Sequence, residues 1–438
     1  QASVAAAGTA PVPAFGAVAR GRVLALDDYS GDARVEAVLV AGAETLALER
    51  DGDDAWRARP LGGAADAAVI GDFDADGAAD IAGVTPAGVS LHTAVAQAGE
   101  SGRLLPFPEG GPAAVHDALA ADLDGDGRAE VFVAGAPASR WWQIGSERLT
   151  PLAAQPPLPE VLAATLADLD ADGRRELVVL DSGGAVRTAG AHGDAPAAAT
   201  GVQAFSLADA DDDGDADLLA VGPAAGEGGS AWRLLRNDRA SGFHEVASGP
   251  AQAAALVDYD NDGRQDVVAL GPDAVLRVVR QVRRLRFAAP AGVATVPPAT
   301  DRLFIADLDR DGFADVVASG ADAPVQVANG GADQRWLGFD LHGQTADAGR
   351  AAMVEIVRRD GGRRLRAVLG TGSTVIGLGR MAQIDVIAVY WPSGRVTRLQ
   401  ADRFDRYLDV REPGSDPKGR RAVGVPQRFY RDHALECR

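Results

Sequence analysis

The sequence predicts an all-β fold: a seven-bladed β-propeller followed by a small C-terminal β-sandwich-like domain. Three observations support this prediction. One acidic stretch, represented by ADLDGDGRAEVFVAG at residues 121–135, recurs seven times before residue 333. The first acidic residues of the copies are spaced by 44, 50, 46, 41, 49 and 49 residues, a period typical of repeat architectures. After residue 332, strand-like segments continue without the acidic stretch.

The composition bounds the function. The chain has 438 residues and is 47% hydrophobic, which is enough for a substantial core. Its formal charge is −19, with −25 on residues 1–332 and +6 on residues 333–438. Because an acidic surface repels nucleic acid, we expect no nucleic-acid partner. No apolar run reaches the roughly 18 residues that a membrane-spanning helix needs.

The chain ends carry little pattern. Residues 1–11 are small and apolar, which suits an N-terminal extension left after removal of a signal peptide, or an arbitrary start. Residues 413–438 are rich in Pro, Gly and Arg and are predicted to be a flexible or docking tail. Cys437 is the one cysteine, so no internal disulfide is possible. It is either an incidental thiol or a site for an intermolecular bridge.

Each repeat predicts one propeller blade. An apolar strand such as ALAADL precedes the acidic loop, a second strand such as EVFVAG follows it, and one or two weaker strands come next. Three or four short strands per repeat are typical of a blade, so residues 12–332 are predicted to form the propeller. The competing hypothesis, an open solenoid, lacks capping repeats and a regular short period.

The loop itself has the chemistry of a calcium site. In the third copy, Asp122, Asp124 and Asp126 occupy positions 1, 3 and 5, Gly127 is at position 6 and Glu130 is at position 9. Alternating carboxylates in a tight loop bring hard oxygen ligands around one point, and such ligands select Ca²⁺ over transition metals. The Gly permits the backbone reversal that lets the position-7 carbonyl join them.

Position 12 separates these loops from EF-hands. An EF-hand needs a bidentate Glu there and a helix after it. Copies two to seven have Gly, Val or Ala at position 12, and a strand-like run follows. The loops are therefore predicted to connect two strands. The alternative, an acidic turn that binds nothing, is disfavoured because six copies keep all four carboxylates.

Six or seven Ca²⁺ sites are predicted, with side-chain ligands at positions 1, 3, 5 and 9 and a backbone carbonyl at position 7. The first copy has Ala33 in place of the Gly, so we expect weak occupancy or none there. In the crowded fifth copy, the side chains of Asp212 and Asp215 are expected to point outward. The predicted ligand residues are Asp28, Ser30, Asp32, Glu36, Asp72, Asp74, Asp76, Ala78, Asp80, Asp122, Asp124, Asp126, Arg128, Glu130, Asp168, Asp170, Asp172, Arg174, Glu176, Asp209, Asp211, Asp213, Asp215, Asp217, Asp258, Asp260, Asp262, Arg264, Asp266, Asp307, Asp309, Asp311, Phe313 and Asp315.

The copies resemble FG-GAP/VCBS repeats, the calcium-loop blades also found in integrin α-subunit propellers. Phe15-Gly16-Ala17-Val18 precedes the first loop, and Gly135-Ala136-Pro137 follows the third. The resemblance covers about residues 12–331, and its loop motif is specific. Most copies lack the Phe-Gly pair, so no integrin-specific detail is transferred.

Residues 333–412 resemble the ASPIC/UnbV module. The matching features are Trp336-Leu337 with Gly343, the Gly377-Leu378-Gly379 turn, and Trp391-Pro392-Ser393-Gly394. The usual Asn-rich turn reads TADAGRAA here, so that loop departs from the family. Repeats followed by this module are the arrangement of the cartilage acidic protein family and its bacterial relatives. The resemblance implies no catalytic role, and we expect the WPSG turn to fix a hairpin with Trp391 in the core.

Two further clusters were open to two interpretations each. Trp141 and Trp142 are adjacent: core packing is favoured, and the alternative places one ring between blades and leaves the other exposed. Five arginines form a basic patch that is either a solvated face opposite acidic neighbours or a site for an anionic ligand. The patch comprises Arg277, Arg280, Arg283, Arg284 and Arg286.

The sequence carries no recognisable catalytic motif. It has no nucleophile elbow, HExxH or P-loop, and its six histidines are scattered. GTGSTVIGLG at residues 370–379 lacks the Lys and the helix of a phosphate loop, so a glycine-rich hairpin is predicted. We therefore expect a non-catalytic, calcium-binding, exported scaffold or adhesion-type module that presents a propeller rim to a protein or polysaccharide. It would be periplasmic, secreted or on the surface of a bacterial cell. The alternatives are a polysaccharide-active hydrolase or lyase using channel carboxylates, and a structural subunit of a larger extracytoplasmic or surface assembly.

Overall fold

The computed structural model describes most of the chain. The described residues are 12–15, 21–50, 55–93, 102–108, 111–153, 155, 157–170, 174–189, 197–224, 228–343, 352–358, 363–367, 373–380, 383–400 and 403–414. Their regular structure is β-strand apart from one turn of 3₁₀-helix at Arg239–Ser241, and no helix among them is long and apolar enough to cross a bilayer. The all-β prediction is confirmed.

The repeat region forms seven antiparallel sheets among the described residues, one for each acidic loop. The first strand among the described residues is β1 (Val12–Pro13). Sheet 1 contains β2 (Arg22–Asp27), β3 (Glu36–Ala41), β4 (Glu44–Arg50) and β5 (Trp56–Gly63). Sheet 2 contains β6 (Ala67–Gly71), β7 (Asp80–Thr85), β8 (Gly88–His92) and β9 (Arg103–Pro106). Sheet 3 contains β10 (Ala114–Ala121), β11 (Glu130–Ala136), β12 (Ala138–Ile144), β13 (Leu149–Pro151) and β14 (Leu158–Pro159).

The remaining sheets of the repeat region follow the same up-and-down order. Sheet 4 contains β15 (Val161–Ala167), β16 (Glu176–Asp181) and β17 (Val186–Ala189). Sheet 5 contains β18 (Ala204–Ala208), β19 (Asp217–Pro223), β20 (Ser230–Asn237) and β21 (Phe243–Pro250). Sheet 6 contains β22 (Ala253–Val257), β23 (Asp266–Leu270), β24 (Val275–Val279) and β27 (Ala291–Thr295), with the hairpin β25 (Gln281–Arg283) and β26 (Arg286–Phe287) inserted. Sheet 7 contains β28 (Thr300–Ala306), β29 (Asp315–Gly320) and β30 (Val325–Val327).

The sheets close into a ring. The first strand of each sheet contacts the first strand of the next, and β2 of sheet 1 contacts β29 of sheet 7. The N-terminal strand β1 completes sheet 7 by pairing with β30, with Val12 opposite Gln326. Phe15 then packs in the core between sheets 7 and 1. A closed ring in which β1 completes the last sheet of the repeat region is a β-propeller, not an open solenoid.

The apolar cores lie between neighbouring sheets. Trp142 packs with Val69 and Val131 between sheets 2 and 3, whereas Trp141 packs with Phe132 and Leu166 between sheets 3 and 4. The two indoles occupy opposite faces of β12 because successive side chains of a strand alternate. Both are buried. Core packing is therefore confirmed for this pair, and the idea that one ring is exposed was wrong.

The C-terminal strands form two facing sheets. One contains β31 (Arg335–His342), β34 (Ser373–Gly379) and β37 (Arg406–Arg411), with β31 and β37 parallel. The other contains β32 (Met353–Arg358), β33 (Arg363–Ala367), β35 (Ile384–Tyr390) and β36 (Val396–Leu399). Both sheets contribute to a single apolar core. The β-sandwich-like prediction is confirmed.

Two motifs of this domain have defined roles. Trp391 is fully buried in the turn between β35 and β36. Its backbone N–H donates to the carbonyl of Arg395, and its carbonyl accepts the N–H of Gly394. This confirms the hairpin with Trp391 as core. Ser373–Gly379 is one strand, β34, paired with the distant β31. The glycine-rich hairpin predicted at residues 370–379 was wrong for Ser373–Gly379, because Gly377 and Gly379 lie against an acidic loop of the propeller and not in a local turn. Residues 370–372 lie outside the described residues.

Candidate metal centres

Every acidic loop connects the first and second strands of its sheet. We number the loops 1 to 7 from their first residues, Asp28, Asp72, Asp122, Asp168, Asp209, Asp258 and Asp307. The position-9 carboxylate is in each case the first residue of the second strand: Glu36, Asp80, Glu130, Glu176, Asp217, Asp266 and Asp315. Six of these seven side chains belong to buried residues, and Glu176 is half-buried. The propeller scaffold therefore fixes one carboxylate where each loop ends and the second strand begins.

One hydrogen bond recurs in all seven loops. The position-9 carboxylate accepts a bond from the backbone N–H of position 2, at 2.9 to 3.2 Å. In loop 3, for example, Leu123 donates to Glu130 Oε2 at 3.0 Å. This bond ties the end of the first strand to the start of the second and leaves carboxylate lone pairs facing the loop interior.

The position-1 carboxylate organises the rest of the loop. Asp122 Oδ1 accepts the N–H of Gly125 at 2.7 Å, and its Oδ2 accepts the N–H of Gly127 at 3.0 Å. The same pair of bonds is seen at Asp28 and Asp72. The loop thus curls around its first carboxylate, as a ligand loop must to bring positions 3 and 5 to the same side.

Two backbone positions are left-handed in the loops whose positions 4 and 6 are described, which are all but loop 4. Position 6 has φ between 86° and 97° at Gly77, Gly127, Gly214, Gly263 and Gly312. Ala33 takes the same conformation in loop 1 with φ 69°, so the strain predicted at that non-Gly residue is confirmed.

Position 4 was not foreseen from the sequence. It is also left-handed, at φ values of 56° to 65°, although its residues in loops 2, 5, 6 and 7 are Ala75, Asp212, Asn261 and Arg310. The alternating pattern of acids gave no signal for it, because neither Ala nor Arg favours this conformation.

The carboxylates converge. In loops 1 to 5, one oxygen from each of three acidic side chains lies within 4.8 Å of the others. These groups are Asp28–Asp32–Glu36, Asp72–Asp74–Asp80, Asp122–Asp124–Glu130, Asp168–Asp170–Glu176 and Asp209–Asp211–Asp217. A set of hard oxygen donors at this spacing fits Ca²⁺, which takes six to eight oxygens at roughly 2.3–2.6 Å. Asp172 of loop 4 lies outside the described residues.

The electrostatics also favour a bound cation. Burial, with a smaller effect from the neighbouring Asp124, Asp122 and Asp126, raises the pKa of Glu130 to about 7. Burial likewise raises the pKa of Glu36 to about 8 and of Asp266 to about 8. Desolvated carboxylates beside other carboxylates are costly when ionised. A divalent cation at the centre of the loop would offset that cost.

Two acidic side chains of loop 5 form ion pairs with arginines. Arg239 Nε lies 2.7 Å from Asp215 Oδ2, and Arg284 Nη2 lies 2.9 Å from Asp211 Oδ2. Asp215 is buried, so the expectation that its side chain points outward was wrong: the Arg239 guanidinium draws it inward. Asp212 is exposed, as expected.

The basic patch also pairs with acids. In loop 6, Arg280 pairs with Asp260, and near the same sheet Arg277 pairs with Asp273. Together with the Arg284–Asp211 pair, these contacts support the interpretation of the patch as a face opposite acidic neighbours.

Side-chain amides link neighbouring loops, and sequence reasoning missed them. Asn329, just after β30, donates from Nδ2 to the carbonyl of Tyr259 in loop 6 at 2.7 Å. Its backbone N–H donates to Asp315 Oδ1 at 2.8 Å. Asn237 repeats both bonds toward loop 4, and Gln281 repeats them toward loop 5. Each amide thus joins a position-9 carboxylate to the preceding loop.

The position-7 residues hold varied side chains. Ala78 and Arg128 are exposed, whereas Phe313 is buried. Arg264 pairs with Asp262 of its own loop. Side chains this different are consistent with a position that acts through its backbone, and ligation by the position-7 carbonyl stays a prediction.

The fold and the loops define a repeat β-propeller with one acidic loop in each sheet and an appended β-sandwich. Comparison with family models finds the FG-GAP-like repeat at residues 107–179 and 258–318, and the ASPIC and UnbV domain at residues 344–417. The chain therefore carries FG-GAP-like repeats in its propeller region and a C-terminal ASPIC/UnbV domain, as its motifs indicated. This architecture indicates a protein-binding or adhesion-type module.

Solved structures give more distant matches. An Agrocybe aegerita lectin that recognises non-reducing terminal N-acetylglucosamine shares 18% identity, with a TM-score of 0.44, over 66% of this chain and 88% of the lectin. BBS1N, solved in complex with ARL6DN, shares 9% identity, with a TM-score of 0.49, over 74% of this chain and 97% of that one. The Dos1 propeller shares 12% identity, with a TM-score of 0.42, over 71% of this chain and 79% of that one. No curated protein matches this chain in a sequence comparison.

Proposed function

We propose that this protein is a non-catalytic, calcium-stabilised scaffold that works outside the cytoplasm and presents its propeller rim to a protein or polysaccharide partner. The observation that carries the calcium part is the convergence of three acidic oxygens within 4.8 Å in successive loops, each built on the same backbone frame. The repeated donor sets are hard to explain as solvated turns, because six of the seven loops place a buried carboxylate beside other acids.

The proposed location follows from the proposed metal. Calcium sites of extracellular modules bind with dissociation constants of roughly 10⁻⁴–10⁻³ M, which suits compartments with millimolar calcium. A site held at 100 times its dissociation constant would add about 2.7 kcal/mol to the stability of the folded state. Several such sites would make folding depend on export to a calcium-rich compartment.

A metal count is the first test. The purified full-length chain is dialysed against buffered calcium, and bound metal is measured by mass spectrometry alongside Mg²⁺ and Zn²⁺. We expect six or seven Ca²⁺ per chain, with weak or absent binding at loop 1, because Ala33 occupies a left-handed position there. Zero or one Ca²⁺ per chain would refute the proposal.

The partner part needs a separate test. For a scaffold, chelation should lower the melting temperature and abolish partner capture together. For a polysaccharide-active enzyme, incubation with glycans should release products, and replacing channel carboxylates outside the loops should stop the release. For a subunit of a surface assembly, purification from the native source should bring partners in fixed ratio.

A further inference from the structure

The C-terminal domain lies directly on loop 7. The Tyr407 hydroxyl on β37 donates a hydrogen bond to Asp307, the position-1 carboxylate of that loop. Arg310, at position 4, donates from its two terminal guanidinium nitrogens to the carboxylate of Asp340 on β31, at 3.2 and 2.8 Å. The same guanidinium lies 3.7 Å from the centre of the Tyr407 ring. Two strands of one C-terminal sheet therefore contact side chains of a proposed metal loop.

Loop 6 carries the other half of the contact. The N–H of Gly379 donates to the carbonyl of Asn261 at 2.8 Å. A Cβ on Gly377 would lie only 2.0 Å from Asp258 Oδ2, the position-1 carboxylate of loop 6, and 2.6 Å from the Cα of Asn261. This explains the Gly377-Leu378-Gly379 motif: a side chain at Gly377 would push β34 off the loop.

The contacts join the two loops into one platform. Asn261 donates from Nδ2 to the carbonyl of Gly312 in loop 7 at 2.7 Å. A Cβ on Gly312 would lie 1.9 Å from the indole of Trp336, which is buried and packs edge-on against Tyr407. Beside this platform, a cavity of about 330 Å³ is lined by propeller and C-terminal residues together. The domain thus covers part of the loop face of the propeller.

We propose that calcium binding at loops 6 and 7 and docking of the C-terminal domain are thermodynamically linked, with Tyr407 holding the Asp307 carboxylate in its ligand orientation. This linkage rests on the proposed calcium-binding function. An outer-shell donor that orients a metal ligand typically changes metal affinity 10- to 100-fold when it is removed. Reciprocity then requires that calcium strengthen docking by the same factor by which docking strengthens calcium binding.

The linkage distinguishes loops 6 and 7 from the others. Their position-1 carboxylates lie in the interface with the C-terminal domain, whereas Asp122 of loop 3 accepts hydrogen bonds from Gly125 and Gly127 of its own loop. Without a cation, the acids of loops 6 and 7 repel one another and loosen the surface on which β34 and β37 rest. Calcium would therefore control the docking of the domain as well as the stability of each blade.

The test uses the full chain as wild type, Tyr407→Phe, and Tyr390→Phe as a matched control. Tyr390 donates to Glu355 at 2.6 Å within the C-terminal domain, so the control loses the same chemical group away from the loops. Calcium affinities and stoichiometry are measured by calorimetric titration. Docking is measured by hydrogen exchange of the peptide that contains the Gly379 amide, with the peptide that contains the Gly394 amide as an internal control.

We expect one site of Tyr407→Phe to lose roughly tenfold in calcium affinity at unchanged stoichiometry. Protection of the Gly379 peptide should require correspondingly more calcium, while Tyr390→Phe behaves as wild type. Asp340→Asn, which weakens the contact with Arg310 and replaces no proposed ligand, should expose the Gly379 peptide and weaken calcium binding in turn.

Two results would overturn the linkage. In the first, the wild type binds calcium but protects the Gly379 peptide equally in calcium and in chelator, so the linkage fails and the calcium proposal stands. In the second, Tyr407→Phe and Asp340→Asn both keep the wild-type calcium affinity, which again removes only the linkage. If the wild type binds no calcium, both proposals fail.

Discussion

Replacing Glu130 with Gln separates the cost of a buried charge from the gain of a bound metal. Glu130 is 1% exposed, and its Oε2 accepts the N–H of Leu123 at 3.0 Å. Gln keeps the shape of the side chain and an acceptor for that bond but removes the charge. The variant should therefore leave the loop frame intact while changing its electrostatics and its metal affinity.

The magnitude differs between the two conditions. A pKa of about 7 for Glu130 means that its ionised form costs the folded state on the order of 1–3 kcal/mol at pH 8, so in chelator Glu130→Gln should be more stable than wild type by about that amount. In calcium at 100 times the dissociation constant, the variant should lose one site's contribution, about 2.7 kcal/mol. At roughly 2 °C per kcal/mol for a large domain, the rise in melting temperature from chelator to calcium should shrink by about 5 °C.

Differential scanning calorimetry in chelator and in calcium, with a parallel metal count, measures both effects. Glu245→Gln, at an exposed residue of β21, is the matched control and should show the wild-type calcium shift. The reasoning is refuted if Glu130→Gln lowers the melting temperature equally in chelator and in calcium, because Glu130 would then serve packing alone.

Three further predictions can be checked by thermal melts. In chelator, lowering the pH from 8.5 to 5.5 should raise the melting temperature. The folded state raises the pKa of carboxylates such as Glu36, to about 8, and Asp217, to about 7, so their contribution to stability is present at low pH and is lost as the pH rises through those values. Saturating calcium should flatten this pH dependence, and a flat profile in chelator would contradict the prediction. Ala33→Gly should stabilise the protein by up to about 1 kcal/mol, because glycine adopts the left-handed conformation at position 33 without strain. The control Ala78→Gly changes a residue without a positive φ and should not stabilise the protein. Equal effects of the two substitutions would argue against strain at Ala33. Asn329→Ala should lower the free energy of unfolding by roughly 1–3 kcal/mol, because the carbonyl of Tyr259 loses its hydrogen-bond donor. The control Gln203→Ala, at an exposed residue, should be nearly neutral. A neutral Asn329→Ala would contradict the proposed link between sheets.

The sequence predicted what is local and repeated. The period of the acidic stretch located seven sheets, and the switch from loop to apolar run placed Glu130 and its equivalents at the start of a strand. Each loop and the strand after it are set by neighbouring residues, and the regular recurrence of that local pattern gives the number of sheets. The adjacent Trp141 and Trp142 could be assigned to the core but not to separate interfaces, since that depends on which sheets lie on either side.

Long-range polar contacts could not be predicted in the same way. Asn237, Gln281 and Asn329 perform one task, yet they lie 20, 15 and 14 residues after their position-9 carboxylates, so no fixed spacing marks them. The docking of Gly377 on loop 6 joins segments over 100 residues apart, and only the fold brings them together. The ligation chemistry stays a prediction.

The closure of the ring has a mechanical consequence. Sheet 7 takes its last strand from β1, which has only two residues and pairs with β30 at Val12–Gln326 and Pro13–Val325. A pulling force on the N-terminal side would act first on this short ladder, whereas a force on the C-terminal side would act first on the longer parallel ladder between β37 and β31, from Leu337–Arg406 to His342–Arg411. In a module that bears load between partners, resistance would therefore depend on the direction of pull, and single-molecule stretching from each end would measure the two strengths separately.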